Sequence, residues 1–179
     1  MPHRHFNRRR LVAVATGVVL TAGIGLAVPA SAFAQSRAAA PATTTATQTP
    51  LVVNARWGGH CTYDRIVIDI KGYIPTTTVK RVSELRYDGS GRLVPLAGRY
   101  FLEVRLTPAA AHNDAGQSVY KGPKLQKIYL PKLKGIALTG DYEGVVTFGA
   151  AFNTYPNYST FKLHNPERFV LDVKHTNVC

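Results

Sequence analysis

The chain has 179 residues, and its 22 Lys and Arg against 10 Asp and Glu give a formal net charge of +12. Residues 51–179 amount to one domain, long enough to bury a hydrophobic core. The chain has only two cysteines, and no further metal-ligating residues cluster beside them, which argues against a cysteine-based metal site.

The first 34 residues have the layout of a secretory signal peptide. The basic start MPHRHFNRRR precedes an apolar run over 11–28, and the small-residue triplets ASA (30–32) and AFA (32–34) follow. Either triplet fits a cleavage site. The apolar run is also about long enough to cross a bilayer, so an uncleaved anchor is the alternative. Its glycines and Pro29 favour cleavage, which predicts a secreted protein without a stable membrane anchor.

Residues 35–50, QSRAAAPATTTATQTP, contain no large apolar side chain. Such a segment cannot offset its ordering entropy by burial, so it is predicted to be a disordered linker before the domain at 51–179. From residue 35 onward, 18 basic against 10 acidic side chains give +8. Nucleic acid does not suit an exported protein, whereas anionic wall polymers and lipid headgroups do. Basic residues spread for solubility are the alternative.

Apolar and polar side chains alternate with period 2 along most of the domain, as is typical of half-buried strands. The clearest examples are residues 63–71, 99–107 and 168–174. Shorter candidate strands cover residues 51–57, 77–87, 126–130, 133–139, 144–148 and 158–163.

Turn sequences separate these candidates. The sequence DGSG at 88–91 tolerates positive φ and predicts a hairpin between residues 77–87 and 92–96. Many short strands without strand–helix alternation predict an all-β sandwich of mainly antiparallel strands, with no substantial helix in the mature domain.

Two of the strands repeat each other. RIVIDIK at 65–71 and RFVLDVK at 168–174 both read Arg, apolar, Val, apolar, Asp, apolar, Lys. In an antiparallel pair, the Arg of each copy would face the Asp of the other across the ladder. The repeat therefore predicts matching strands in a pseudo-symmetric fold.

The two cysteines flank this repeat. Cys61 lies four residues before the first copy, and Cys179 lies five residues after the second. Antiparallel copies place both cysteines beyond the same end, whereas parallel copies separate them by roughly ten residues at about 3.3 Å each. In an oxidising compartment the pattern predicts a Cys61–Cys179 disulfide.

Signals for catalysis or cofactors are sparse. His60, His112, His164 and His175 form no metal-ligand pair in the sequence, and there is no G-x-S-x-G elbow or glycine-rich phosphate loop. We therefore expect no metal and no cofactor. A histidine site assembled from distant positions stays as an alternative, and surface histidines at strand ends are the simpler interpretation.

The sequence GDYEG offers one candidate for hydrolysis. In an extended strand Asp141 and Glu143 would share a face at roughly 7 Å, within the range for two-carboxylate glycoside hydrolysis. A domain with so few acids has little around them to tune their pKa values. A structural role at a strand entry is the favoured interpretation.

Two further residue sets are of interest. Tyrosines in or beside loops (Tyr120, Tyr142, Tyr155 and Tyr158) either suit sugar rings and peptide stems or fill sheet faces. Asp64 falls in phase with the inward isoleucines of its strand, so it needs a hydrogen-bonded partner near the core.

Four ordered segments carry a family resemblance: GGHCTYDRIVIDIKG, YDGSGRLVPLAGRYFLEVRLTPAAAHNDAG, GDYEGVVTFG and LHNPERFVLDVKH. Together they resemble the AMIN-like domain of secreted bacterial proteins, which is related to a β-sandwich module associated with peptidoglycan targeting. The resemblance implies a β-sandwich that localises to the cell wall and has no catalysis of its own. The candidate binding residues are His60, Tyr63, Asp64, Arg65, Asp141, Tyr142, Glu143 and Arg168.

The sequence thus favours an exported, non-catalytic envelope module that binds peptidoglycan or another wall polymer. A small secreted hydrolase that uses Asp141 and Glu143 is one alternative. A protein-interaction module that docks on another envelope protein by a sheet edge is the other.

Overall fold

A computed structural model of the chain describes residues 48–179. The predicted signal peptide and most of the predicted linker lie outside these residues. Pro50, the last residue of the predicted linker, is buried and accepts a hydrogen bond from the Ala110 amide. None of the described residues forms a helix, so they contain no helix that could cross a membrane.

Nine strands form two antiparallel sheets. The strands are β1 (Leu51–Gly59), β2 (Tyr63–Lys71), β3 (Thr76–Val82), β4 (Tyr100–Thr107), β5 (Leu125–Lys127), β6 (Leu133–Tyr142), β7 (Val145–Phe152), β8 (Tyr158–Leu163) and β9 (Arg168–Lys174). Sheet A has the order β1-β2-β9-β8, and sheet B has the order β3-β4-β7-β6-β5. The predicted all-β sandwich is confirmed.

The core lies between the sheets and comes from alternate residues of their inner strands. Ile66, Ile68 and Ile70 of β2 are at most 5 % exposed. From sheet B, the central strands β4 and β7 contribute the facing layer, with Leu102 and Phe148 at 0 % and 1 % exposed. The period-2 pattern of the sequence therefore identified the buried faces of these strands.

The repeated strands β2 and β9 are direct antiparallel neighbours, as predicted. Arg65 lies opposite Asp172, and Asp69 lies opposite Arg168. The Cys61–Cys179 disulfide is also present, with its Cα atoms 5.1 Å apart. We call the part of the sandwich beside this disulfide the disulfide end, and the part beside the β6–β7 turn the hairpin end.

The hairpin predicted around DGSG forms only in part. Tyr87 donates to the Arg92 carbonyl across the turn, but β3 stops at Val82 and no strand covers residues 92–96. The segment from 83 to 99 instead lies against the outer face of sheet B, where Leu85 packs over Gly149. A second apolar layer, which period 2 alone does not signal, holds this segment on the sheet.

Asp64 connects the two sheets at the disulfide end. Its side chain on β2 is 1 % exposed, and Oδ2 accepts the backbone N–H groups of Lys132 at 2.7 Å and Leu133 at 2.8 Å where β6 begins. Nε2 of His175, the residue after β9, lies 3.3 Å from Oδ1. Asp64 thus has the hydrogen-bonded partner that we expected, and this partner is the backbone of the opposite sheet.

We predict that Asp64→Ala lowers the free energy of unfolding by about 3–5 kcal/mol, because it leaves two buried N–H groups without an acceptor. Asp64→Asn should cost less, since its amide oxygen can still accept. Urea denaturation with the disulfide intact measures both. Asp69→Ala is the matched control, because its pair with the half-exposed Arg56 contributes at most about 1 kcal/mol. Equal losses for Asp64→Ala and Asp69→Ala would contradict this role.

A second prediction concerns alkaline stability. Burial raises the pKa of Tyr120 to about 12, whereas a tyrosine in an unfolded chain ionises near pH 10. The folded state therefore holds the phenol proton more tightly, so this stability is complete below about pH 10 and is lost as the pH rises toward 12. Tyr120→Phe should make the fall in Tm between pH 9 and 11 shallower, as measured by circular dichroism. The same change at Tyr142, which is 72 % exposed, should leave the slope unaltered.

Candidate functional site

A row of three rings and one guanidinium crosses the outer face of sheet A at the disulfide end. The His60 and Tyr63 rings stack with centroids 4.3 Å apart. Arg65 Cζ lies 4.9 Å from the Tyr63 ring and 5.2 Å from the Phe161 ring. We call these four residues the aromatic–arginine row; it runs from the β1–β2 loop across β2 to β8.

The strand pattern explains why the row forms. Tyr63 and Arg65 have the outward phase of β2, whereas Asp64 between them points inward. The strand order places β9 between β2 and β8, so Arg65 reaches Phe161 above Asp172 of β9. Phe161 lies opposite Val170, two residues along β9 from Asp172, so the long Arg65 side chain reaches it diagonally across β9.

Asp172 fixes the guanidinium within the row. Nε and Nη2 of Arg65 donate to the two carboxylate oxygens of Asp172, both at 2.7 Å. These hydrogen bonds raise the pKa of Arg65 despite its partial burial. The guanidinium is thus charged and held in one orientation, while 28 % of the side chain stays exposed.

The predicted candidates separate into four places, one of which is the β6–β7 turn with Asp141, Tyr142 and Glu143. His60, Tyr63 and Arg65 come together in the row. Asp64 lies beneath them at 1 % exposure, so it has no surface for a ligand and its role is structural. Arg168 lies at the start of β9, away from the row, where Nε donates to the Pro166 carbonyl at 3.1 Å.

One of the two predicted cross-strand ion pairs does not form. Asp69 lies opposite Arg168, but its carboxylate takes both hydrogen bonds from Arg56 of β1 at 2.7 Å. A strand in the middle of a sheet has two neighbours, and the repeat indicates only one of them.

The extended arrangement predicted for Asp141 and Glu143 is wrong. Asp141 lies in β6, but Glu143 and Gly144 form the two-residue turn to β7, with φ values of 49° and 74°. Positive φ at both central positions is typical of a tight hairpin turn. The two carboxylates therefore share no strand face, and Tyr142 beside them is exposed.

Asp141 has a different partner. Oδ1 accepts the Ala111 N–H and Oδ2 contacts His112 Nδ1, both at 2.8 Å. The two residues are 29 positions apart in the sequence, so sequence reasoning missed this pair, as it missed the contacts of Phe161 and His175. No local spacing signals such contacts; only the sheet topology does.

Metal ligation has no support in the described part of the chain. Within residues 48–179 no group of three His, Cys, Asp or Glu side chains lies close enough to hold a metal ion.

The comparisons with known proteins gave one match. Neither the curated proteins nor the solved structures contain a match to the chain. The family model of the AMIN-like domain matches residues 50–175, which covers every strand of both sheets. The chain therefore belongs to the AMIN-like domain family.

Proposed function

We propose that this protein is an exported, non-catalytic binding module of the bacterial cell envelope, and that it contacts peptidoglycan or another wall polymer through the aromatic–arginine row. The observation that carries the proposal is the continuous row of His60, Tyr63, Arg65 and Phe161. Membership in the AMIN-like family supports a module of the cell envelope.

The chemistry of the row suits a glycan with peptide branches. Aromatic rings offer flat apolar surface to the C–H faces of sugars, and the Tyr63 hydroxyl and His60 nitrogens offer hydrogen bonds. The Arg65 guanidinium adds a planar cation that can contact a carboxylate or a carbonyl at the edge of its ion pair.

The row is also preorganised. Arg65 is held by Asp172 on one side and by two rings on its faces. The Cys61–Cys179 disulfide and the hydrogen bond from the His60 amide to the Tyr63 carbonyl fix the adjoining loop. A surface that is already ordered loses little conformational entropy on binding, which favours affinity from a small contact area.

Charge around the row favours an anionic polymer. Exposed Lys174 lies opposite Tyr63 in the ladder. Two carboxylates adjoin the row: that of Asp64, which is buried between Tyr63 and Arg65 in the chain, and that of Asp172, which pairs with Arg65. Neither repels an acidic ligand as a free surface carboxylate would.

The hydrolase alternative loses its geometric basis because Glu143 lies in a turn. Docking on another envelope protein is separated from wall binding by the experiment below.

Retention on purified sacculi tests the proposal. We expect Tyr63→Ala to reduce the bound fraction by about tenfold or more, since stacking on a ring contributes roughly 1–3 kcal/mol. Retention of the unaltered protein should persist at 0.5 M NaCl, where attraction between exposed charges is largely screened. Tyr142→Ala is the matched control, because this tyrosine is 72 % exposed at the hairpin end, and it should bind normally.

Two results would overturn the proposal. One is loss of all retention at moderate salt, which would show that the net charge of the protein accounts for the interaction. The other is equal retention of the Tyr63 and Tyr142 variants, which would place the contact surface elsewhere. Retention only on sacculi that still carry envelope proteins would favour the protein-interaction alternative.

A further inference from the structure

A histidine–aspartate pair borders an open concavity at the hairpin end, away from the aromatic–arginine row. His112 Nδ1 lies 2.8 Å from Asp141 Oδ2, and the two side chains are 39 % and 22 % exposed. The concavity beside them measures about 540 Å³. Its lining includes Tyr87, His112, Ser118, Lys124 and Asp141.

Asp141 orients the imidazole. A carboxylate oxygen only accepts hydrogen bonds, so the imidazole nitrogen beside it, His112 Nδ1, carries the hydrogen. Nε2 then carries a lone pair and accepts a hydrogen bond when the ring is neutral. When the ring is protonated, Nε2 carries a hydrogen and becomes a second N–H donor. The backbone N–H of Ala111 holds the other carboxylate oxygen, which fixes the pair as a unit.

Lys124 is the cation that lines the concavity, and Tyr87 lines it as well. Ser118 lies opposite His112 in an antiparallel bridge, so their side chains project to the same side. The Ser118 hydroxyl donates to the Ala111 carbonyl at 3.4 Å. Both oxygens of Asp141 are occupied by the protein, so its carboxylate has few free acceptor sites to offer a ligand.

We propose that this concavity is a second binding site, which takes the carboxylate or phosphate group of a small acidic ligand between His112 Nε2 and the Lys124 ammonium, with Tyr87 and Ser118 beside them. Asp141 is a positioning residue that presents Nε2. The site uses no residue of the aromatic–arginine row.

An internal comparison supports this assignment. The same kind of pair occurs at His164 and Glu167, with 2.7 Å between Nδ1 and the carboxylate, but it lies between residues 164 and 167 of the β8–β9 turn and lines none of the three concavities described in residues 48–179. His112 differs because Lys124, Ser118 and Tyr87 lie around it.

The charged groups at the site are Lys124 and Asp141 in the concavity, Asp114 in the adjoining loop, and Glu143 and Asp88 near the end of β6. Lys124 is the cation among them, so the proposal places the anion against Lys124 and away from the carboxylates.

The experiment is an NMR titration of the exported protein with three probes: N-acetylmuramic acid, which carries a carboxylate; inorganic phosphate; and N-acetylglucosamine, which is neutral. We expect either anion, and not the neutral sugar, to shift the imidazole resonances of His112. A response to the first probe alone identifies a carboxylate ligand, and a response to phosphate alone identifies a phosphorylated one.

Three variants give the residue test. His112→Gln and Lys124→Met should each weaken binding about tenfold or more. Asp141→Asn can still accept from Ala111, but its amide N–H now faces His112 Nδ1 and moves the ring hydrogen to Nε2. This variant should keep binding, and the ring nitrogen resonances of His112 should show that the hydrogen has moved from Nδ1 to Nε2, which a merely structural role would not do. His164→Gln is the matched control and should bind normally.

The site assignment is overturned if the neutral sugar shifts His112 equally, if neither anion does, or if His112→Gln binds as well as the unaltered protein. Anion-induced shifts at Tyr63 and Arg65 instead of His112 would also overturn it, while supporting the proposed function. Thermal melts confirm that each variant is folded before binding is compared.

Discussion

The buried carboxylate of Asp64 connects the two sheets of this sandwich at the disulfide end. Apolar packing between two sheets is not directional, so it tolerates sliding of one sheet over the other. Two short hydrogen bonds run from the start of β6 to one carboxylate on β2. Because hydrogen bonds are directional, they fix the position of β6 relative to β2. The Cys61–Cys179 disulfide and the contact between His175 and Asp64 hold the C-terminal segment at the same place. The aromatic–arginine row lies directly on this fixed region, since Tyr63 and Arg65 flank Asp64 in the chain.

Both ends of the sandwich contain an aspartate–histidine pair, which is buried at one end and partly exposed at the other. At each end an aspartate on one strand accepts backbone N–H groups from another segment and contacts a histidine: Asp64 with His175, and Asp141 with His112. At the disulfide end both side chains are at most 4 % exposed, so the pair can act only on the fold. At the hairpin end the pair opens on solvent and on Lys124. Burial, and not the identity of the residues, therefore separates a structural pair from one that a ligand can reach.

The sequence predicted the strands of the core and the ends of several strands well, because one face of each is buried and period 2 reports that burial. It also predicted the β2–β9 neighbours and the disulfide, because the repeat and the two cysteines constrained each other. It did not predict the partner of Asp69, the turn at Glu143 or the packing of Leu85 over Gly149. In each case the residue could contact either of two neighbouring elements whose local sequence patterns are similar. Only the order of strands in the assembled sheets determines which contact forms. The candidate site was accordingly found in part: the β2 residues of the row were identified, and its β8 member Phe161 was not.

The acidic residues are distributed unevenly between the two ends of the sandwich, which the composition alone does not show. Six of the ten acidic residues lie toward the hairpin end: Asp69, Asp88, Asp114, Asp141, Glu143 and Glu167. The two acids beside the row each have a partner in the protein: Asp64 Oδ2 accepts two backbone amides, and Asp172 pairs with Arg65. Within residues 48–179, acidic side chains are therefore fewer around the row than toward the hairpin end. An anionic polymer would be drawn toward the end at which the rings are already ordered, so that electrostatic attraction and stacking act on the same surface.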